Sequence, residues 1–188
     1  MERDFNHPAI IGWCPLNETQ PNQNNDFLRA LGALTKAYDP TRLYIDTSGW
    51  RHVDGVTDIM DWHDYDQNPE TFRARYEAVR DGTPISETRR NAFPIMPNFI
   101  SEYGGIRWAP DKAGWGYGQA PQSEEEFIER FRGLTDALLD NPFITGLCYT
   151  QLTDVEQEVN GLYTYDRKAK FDPAIFKAIL SRKAAIEE

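Results

Sequence analysis

Along the chain, short apolar runs alternate with longer stretches in which apolar residues recur every three or four positions. Five runs read as strands bounded by turn residues: "AIIGWCPL" (9–16), "RLYIDT" (42–47), "TDIMDWH" (57–63), "NFISEY" (98–103) and "ITGLCYTQ" (144–151). Several are close to continuously apolar, as strands covered on both faces are. Between them lie four helical patterns. "NNDFLRALGALTKAYDP" places Phe27, Leu28, Leu31 and Leu34 on one face and ends before Pro40. "NPETFRARYEAVRDG" has Asn68 as N-cap, Pro69 in its first turn and a stop near Gly82. "SEEEFIERFRGLTDALLDNP" carries a capping box, Ser123 with Glu126, followed by Phe127, Phe131, Leu134 and Leu138. "DPAIFKAILSRKAAIEE" begins with Asp172 as N-cap and Pro173 at the first helical position, with basic residues towards its end. Strands alternating with helices in this way predict an α/β fold with a parallel sheet and right-handed crossovers.

Two connections break the alternation: 86–97 and 104–122, both long and rich in Gly, Pro, Trp and Arg. Connections of more than about 12–15 residues in a compact domain are usually functional or disordered. The second follows a strand directly, on the face where parallel α/β folds bind ligands. Its Trp108, Trp115 and Tyr117 suit stacking on a flat apolar ligand face. A loop anchored by its own aromatics is the equal alternative.

With 188 residues the chain can bury one sizeable core, so residues 1–188 are expected to form a single domain. A formal charge of −10 argues against nucleic-acid or anionic-membrane partners. No apolar run approaches the roughly 18 residues of a membrane span. The polar start "MERDFNHP" lacks the apolar segment of a signal peptide. Cys14 and Cys148 are too few for a disulfide framework or a metal cage and read as small core residues.

The chemistry-bearing positions are two glutamates, Glu18 in "GWCPLNETQ" and Glu102 in "NFISEYGG", each at the end of an apolar run. Carboxylates at the C-terminal ends of strands in one parallel sheet open towards the same face. Such a pair suits glycoside hydrolysis, with one acid protonating the leaving oxygen and one carboxylate across the anomeric carbon. Two helix-capping or salt-bridging glutamates are the rival reading.

The segments "RDFNHPAIIGWCPLNE", "FISEYGG" and "YTQLTDVEQEVNGLYTYDR" together resemble glycoside hydrolase family 2, which includes β-galactosidases, β-glucuronidases and β-mannosidases. The third segment is similar to a subgroup of that family. The resemblance implies a (β/α)8 TIM barrel, of which this chain would supply approximately strands four to eight. Strands one to three and the family's amino-terminal sandwich domains would then be absent. It implies a retaining β-glycosidase of the β-galactosidase kind, with Glu18 as acid/base, Glu102 as nucleophile and Asn17 on the sugar 2-hydroxyl. By the same resemblance His63 and Tyr65 contact the sugar ring. A buried hydrogen-bonded histidine between Asp61 and Asp64 is the rival for His63. Where many members carry a tryptophan as the floor of the sugar site, Tyr149 or Gln151 stands here, a departure from the pattern. No cofactor and no metal are implied. The partners implied are a carbohydrate substrate and the missing half of the barrel, with self-association through an exposed strand edge and apolar inner face. A half barrel is expected to have little activity alone. A non-catalytic carbohydrate-binding or assembly fragment is the alternative. A nucleotide-binding domain is disfavoured, since no strand leads into a G-x-G-x-x-G or P-loop motif.

Overall fold

A computed structural model describes residues 1–79 and 96–188. In chain order the elements are β1 (Gly12–Trp13), α1 (Asn25–Tyr38), β2 (Leu43–Tyr44), β3 (Met60–Asp64), α2 (Pro69–Glu77), β4 (Asn98–Gly104), α3 (Glu124–Leu139), β5 (Ile144–Thr150) and α4 (Pro173–Leu180). Every strand pair is parallel, as the alternating pattern predicts. The result is a partial α/β barrel that does not close among the described residues.

The strands form two sheets rather than the expected one: β1–β2, and β3–β4–β5. The first two strands are also much shorter than the runs 9–16 and 42–47. The break has a local cause. Asp58 lies where β2 and β3 would pair, and its Oδ2 accepts the Tyr44 N–H at 2.8 Å while pairing with Lys36. A side-chain carboxylate thus takes a donor that a continuous ladder would use.

The helices start where their capping residues say. Asn24, Asn68, Ser123 and Asp172 each accept backbone N–H groups of the first turn, and Pro69 and Pro173 occupy first-turn positions that need no N–H. Only half of the expected capping box forms, because Glu126 accepts the Gln122 N–H at 2.7 Å rather than that of Ser123. Helix α4 ends at Leu180, short of the pattern. Beyond it Arg182 pairs with Asp136 of α3 and with its C-cap Asp140 at 3.1 and 2.8 Å. Helix α2 ends at Glu77, short of the stop expected near Gly82; Gly82 itself lies outside the described residues, as does the 86–97 connection except for Met96 and Pro97.

The core lies between β4–β5 and the helices α2, α3 and α4. It is built from Phe72, Tyr76, Ile100, Tyr103, Phe127, Phe131, Leu134, Leu138, Ile144, Phe176 and their neighbours. Each fully buried Leu or Phe here contributes roughly 1.5–3 kcal/mol. Helix α1 corrects the sequence reading. Its buried face is Leu28, Gly32 and Thr35, whereas Phe27 and Leu34 are exposed. A Cβ on Gly32 would meet Val56 at 2.9 Å and Tyr44 at 3.1 Å, so close approach selects a small residue over an apolar one.

Cys14 and Cys148 are exposed, not core residues. Cys14 lies with Ile11, Trp13, Leu43, Ile45 and Phe99 along an apolar cavity of about 470 Å³ on the open inner side of the strands. Cys148 alternates with Tyr149, whose ring packs on Phe131 in the core, so Cys148 faces the opposite, uncovered side. No helix among the described residues is long and apolar enough to cross a membrane.

Candidate active site

The C-terminal ends of β1, β3 and β4 bring Glu18, His63, Tyr65 and Glu102 together. After β1 the chain continues beside the segment that follows β2. Ser48 N–H donates to Leu16 at 2.9 Å and Glu18 N–H donates to Ser48 at 2.7 Å, while Asn17 bridges to Ser48. Glu18 turns there into the left-handed region at φ 48°, unusual for a residue with a side chain. Asn17 is exposed, its backbone fixed beside the carboxylate.

His63 and Glu102 are register partners on β3 and β4. The buried imidazole of His63 lies between the two glutamates. Its Nδ1 is 2.8 Å from Glu18 Oε1 and its Nε2 is 3.5 Å from Glu102 Oε1. Carboxylate oxygens of Glu18 and Glu102 lie within 4.8 Å of each other and of this ring. Two carboxylates and an imidazole at that spacing form a donor set of the kind that holds a divalent cation. Here the side chains are satisfied by one another and by neighbouring hydroxyls. Tyr65 donates its hydroxyl to Glu102 Oε2. Burial, and then the hydrogen bond to Glu102, push the Tyr65 phenol well above its ordinary range, so it stays a proton donor to that carboxylate.

The 104–122 segment reaches this site through one ring. Tyr117 stacks on Tyr65 with ring centres 3.5 Å apart and planes within 1°. Gly105, at positive φ, makes room for this stack, and Gly104, also at positive φ, makes room for Tyr149. A Cβ on Gly105 would meet Tyr117 at 2.4 Å and Tyr65 at 3.0 Å, and one on Gly104 would meet Tyr149 at 2.2 Å. The segment is tied down by Tyr117 N–H to Gly105, Trp108 N–H to Val159 and Trp115 N–H to Gln157.

Two candidate ligand contacts, Trp108 and Tyr149, lie elsewhere. Trp108 packs its ring 5.8 Å from Phe171 and 6.1 Å from Phe127 at the edge of the core. Tyr149 packs on Tyr103 and Phe131 at 5.6 and 4.7 Å. Strand alternation turns it towards the helices, away from the face that carries Glu102. Of the two residues at the expected floor position, Gln151 is the one in a polar setting. Its Nε2 donates to Asn160 Oδ1 at 2.7 Å, and Asn160 Nδ2 donates to Glu158 Oε1 at 3.0 Å. Trp115, half exposed, bridges to Glu158 through the backbone.

Behind His63 stands a polar network that the sequence reading missed. Asp61 Oδ2 accepts from Ser48 Oγ and Gly49 N–H, both at 3.0 Å, and from Ser101 Oγ. Asp61 Oδ1 is 2.8 Å from His52 Nε2, whose Nδ1 is 2.7 Å from Asp46 Oδ1. Burial disfavours charge on His52, but Asp46 and Asp61 outweigh it and raise its pKa to about 9. His52 and Ser48 sit in a loop with no periodicity. The only sequence signal for them was the concentration of Asp, Ser and His between positions 46 and 63.

Comparison with known proteins agrees with the fold. A family model described as "Glycosyl hydrolases family 2, TIM barrel domain" matches residues 1–123, the stretch that contains Glu18, His63, Tyr65 and Glu102. The chain therefore belongs to glycosyl hydrolase family 2 and carries part of its TIM barrel domain. Among solved structures it is similar to a β-galacturonidase from Eisenbergiella tayi, at 16% identity and a TM-score of 0.72, covering 97% of this chain and 35% of that one. It is also similar to the Faecalibacterium prausnitzii β-glucuronidase, at 20% identity and 0.68, covering 97% and 33%. A β-glucuronidase of an uncultured Clostridium species gives 17% and 0.68, covering 95% and 33%. The chain thus spans about a third of the length of these solved relatives. No curated protein matches it in sequence.

Proposed function

We propose that residues 1–188 form the part of a family 2 catalytic barrel that carries both catalytic carboxylates of a retaining β-glycosidase. The observation that carries this is the Glu18–Glu102 pair, with oxygens within 4.8 Å and opening to one side of the strands. That spacing fits the roughly 5–5.5 Å of a retaining pair and leaves too little room for the water of an inverting one. Glu102, held by the Tyr65 hydroxyl, attacks the anomeric carbon to form a glycosyl-enzyme. Glu18 protonates the departing oxygen and then takes a proton from the incoming water. Asn17, next to Glu18, bonds the sugar 2-hydroxyl, a contact that strengthens in the transition state.

The favoured substrate is a neutral β-glycoside, β-galactosides first. Glu158 lies near Tyr117 and adds a third negative charge to the site, which disfavours an anionic sugar. Similarity to β-galacturonidase and β-glucuronidase structures makes a β-uronide the second reading. Partnership with the remainder of a barrel belongs to the same proposal, because the open inner side exposes Ile11 and Leu43. Alone, the chain is expected to turn over far below the usual 1–1000 per second.

Covalent trapping suits a slow catalyst. A 2-deoxy-2-fluoro glycosyl fluoride should label Glu102, detected by mass spectrometry after digestion. The galactosyl reagent should label faster than the glucuronyl one. No label on Glu102, in this chain or with the remaining strands supplied, would reject the enzyme and leave a carbohydrate-binding or assembly role.

A further inference from the structure

The two ring nitrogens of His63 face oxygen on both sides, and one hydroxyl decides where its hydrogen lies. Ser48 Oγ is 2.7 Å from His63 Nε2 and 3.0 Å from Asp61 Oδ2. Ser48 has a single proton to give. Asp61 has none to offer in return at the oxygen that faces Ser48, because that Oδ2 already accepts Gly49 N–H and the Ser101 hydroxyl. An acceptor-only carboxylate at 3.0 Å requires the Ser48 proton to point at it. The lone pairs of Ser48 then face the imidazole, so Nε2 must carry a hydrogen. At the other end of the ring, Nδ1 and Glu18 Oε1 are 2.8 Å apart, and only one proton fits between them.

We propose that Ser48, oriented by Asp61, fixes the hydrogen of His63 on Nε2, so that the Nδ1–Glu18 contact holds one proton shared between imidazole and carboxylate. For catalysis this rests on Glu18 being the acid/base. With the proton on Nδ1, His63 is an imidazolium between Glu18 and Glu102. With the proton on Glu18, the ring is neutral. Protonation of a leaving oxygen removes this one proton from the pair, and the proton given up by the attacking water restores it. The charged groups that face the ring are Glu18 and Glu102, with Asp61 and the His52 imidazolium one step behind Ser48. The edge of Trp50 closes another side, with ring centres 6.1 Å apart. Ser48 and Asp61 are positioning residues that act through His63.

The chain has three histidines, so imidazole nitrogen NMR of the intact protein is readable, with His63→Gln assigning the signals. Between about pH 5 and 8, the range in which histidines ordinarily titrate, His63 Nε2 should keep its directly bonded hydrogen. Ser48→Ala should release the preference, so that both neutral tautomers appear, and Ser48→Thr should restore the single one. Glu18→Gln, whose amide can donate, should leave Nδ1 without a hydrogen while Nε2 keeps its own. A wild-type spectrum with bare Nε2 and hydrogen on Nδ1 would overturn the assignment without any variant. So would a Ser48→Ala spectrum identical to wild type. No substrate enters these measurements, so failure to trap Glu102 would sink the glycosidase reading and leave the tautomer result standing.

Discussion

The aromatic core and the polar seam between β2 and β3 are both buried, yet they hold the molecule in opposite ways. In the core, Phe127, Phe131, Phe171 and Phe176 lie with ring centres 4.4–6.2 Å apart, and stability grows with area whatever the detailed orientation. In the seam, Asp46, His52, Asp61, Ser48 and His63 are joined by contacts of 2.7–3.0 Å, and each contact depends on where a hydrogen lies. Burying such charges costs desolvation that the pairing only offsets. The core supplies most of the folding energy, and the seam places the imidazole between the two glutamates.

Substitutions can break this contrast in graded steps. Phe131→Ala should cost the most, about 4 kcal/mol, because it empties the contact of α3 with Tyr149 and Phe176. Denaturant unfolding measures it, and a loss under about 1 kcal/mol would show that the aromatic layer is not the main core. Asp61→Asn should cost about 3 kcal/mol, since it leaves the His52 charge with one carboxylate instead of two. A near-neutral result would mean that the seam is not held by charge.

The next effect is of similar size and depends on pH. The pKa of His52 is raised to about 9 in the folded chain against an ordinary value of about 6.5. Its contribution is therefore complete below about pH 6.5 and is lost as the pH rises through about 9. By that linkage it is worth roughly 3 kcal/mol. Melting temperature should fall over that window, and Asp61→Asn should flatten the fall. A wild-type curve that is level from pH 6 to 9.5 would contradict the pairing. The smallest effect is expected for Gly105→Ala, about 1–2 kcal/mol from the positive φ and the crowding of Tyr117. Its mark should be local, with separation of the Tyr65–Tyr117 stack seen in tyrosine ring NMR shifts. An unchanged stack would show that the ring yields freely.

The core was legible because Phe127, Phe131, Leu134 and Leu138 repeat at helical spacing, and such spacing records a buried face directly. The carboxylates were legible through the motifs around them. Helix α1 misled, because its buried stripe is chosen for smallness at Gly32 and the apolar Leu34 is left in solvent. Tyr149 misled for a related reason: its position matched a sugar contact, but alternation along β5 turns it into the core. Ser48, His52 and Ser101 left no periodic pattern, and only the local richness in Asp and His hinted at the first two. Hydrogen-bond partners far apart in sequence are set by how loops cross, and no spacing along the chain records that.

The left-handed backbone at Glu18 has a consequence for how the protein responds to selection. A side chain in that region costs roughly 1–2 kcal/mol, which glycine avoids and asparagine partly avoids. A library sorted for resistance to heat or protease alone should therefore enrich Glu18→Gly and Glu18→Asn. Such winners would be sturdier chains without the partner of His63. Sorting for stability and sorting for chemistry pull this one position in opposite directions.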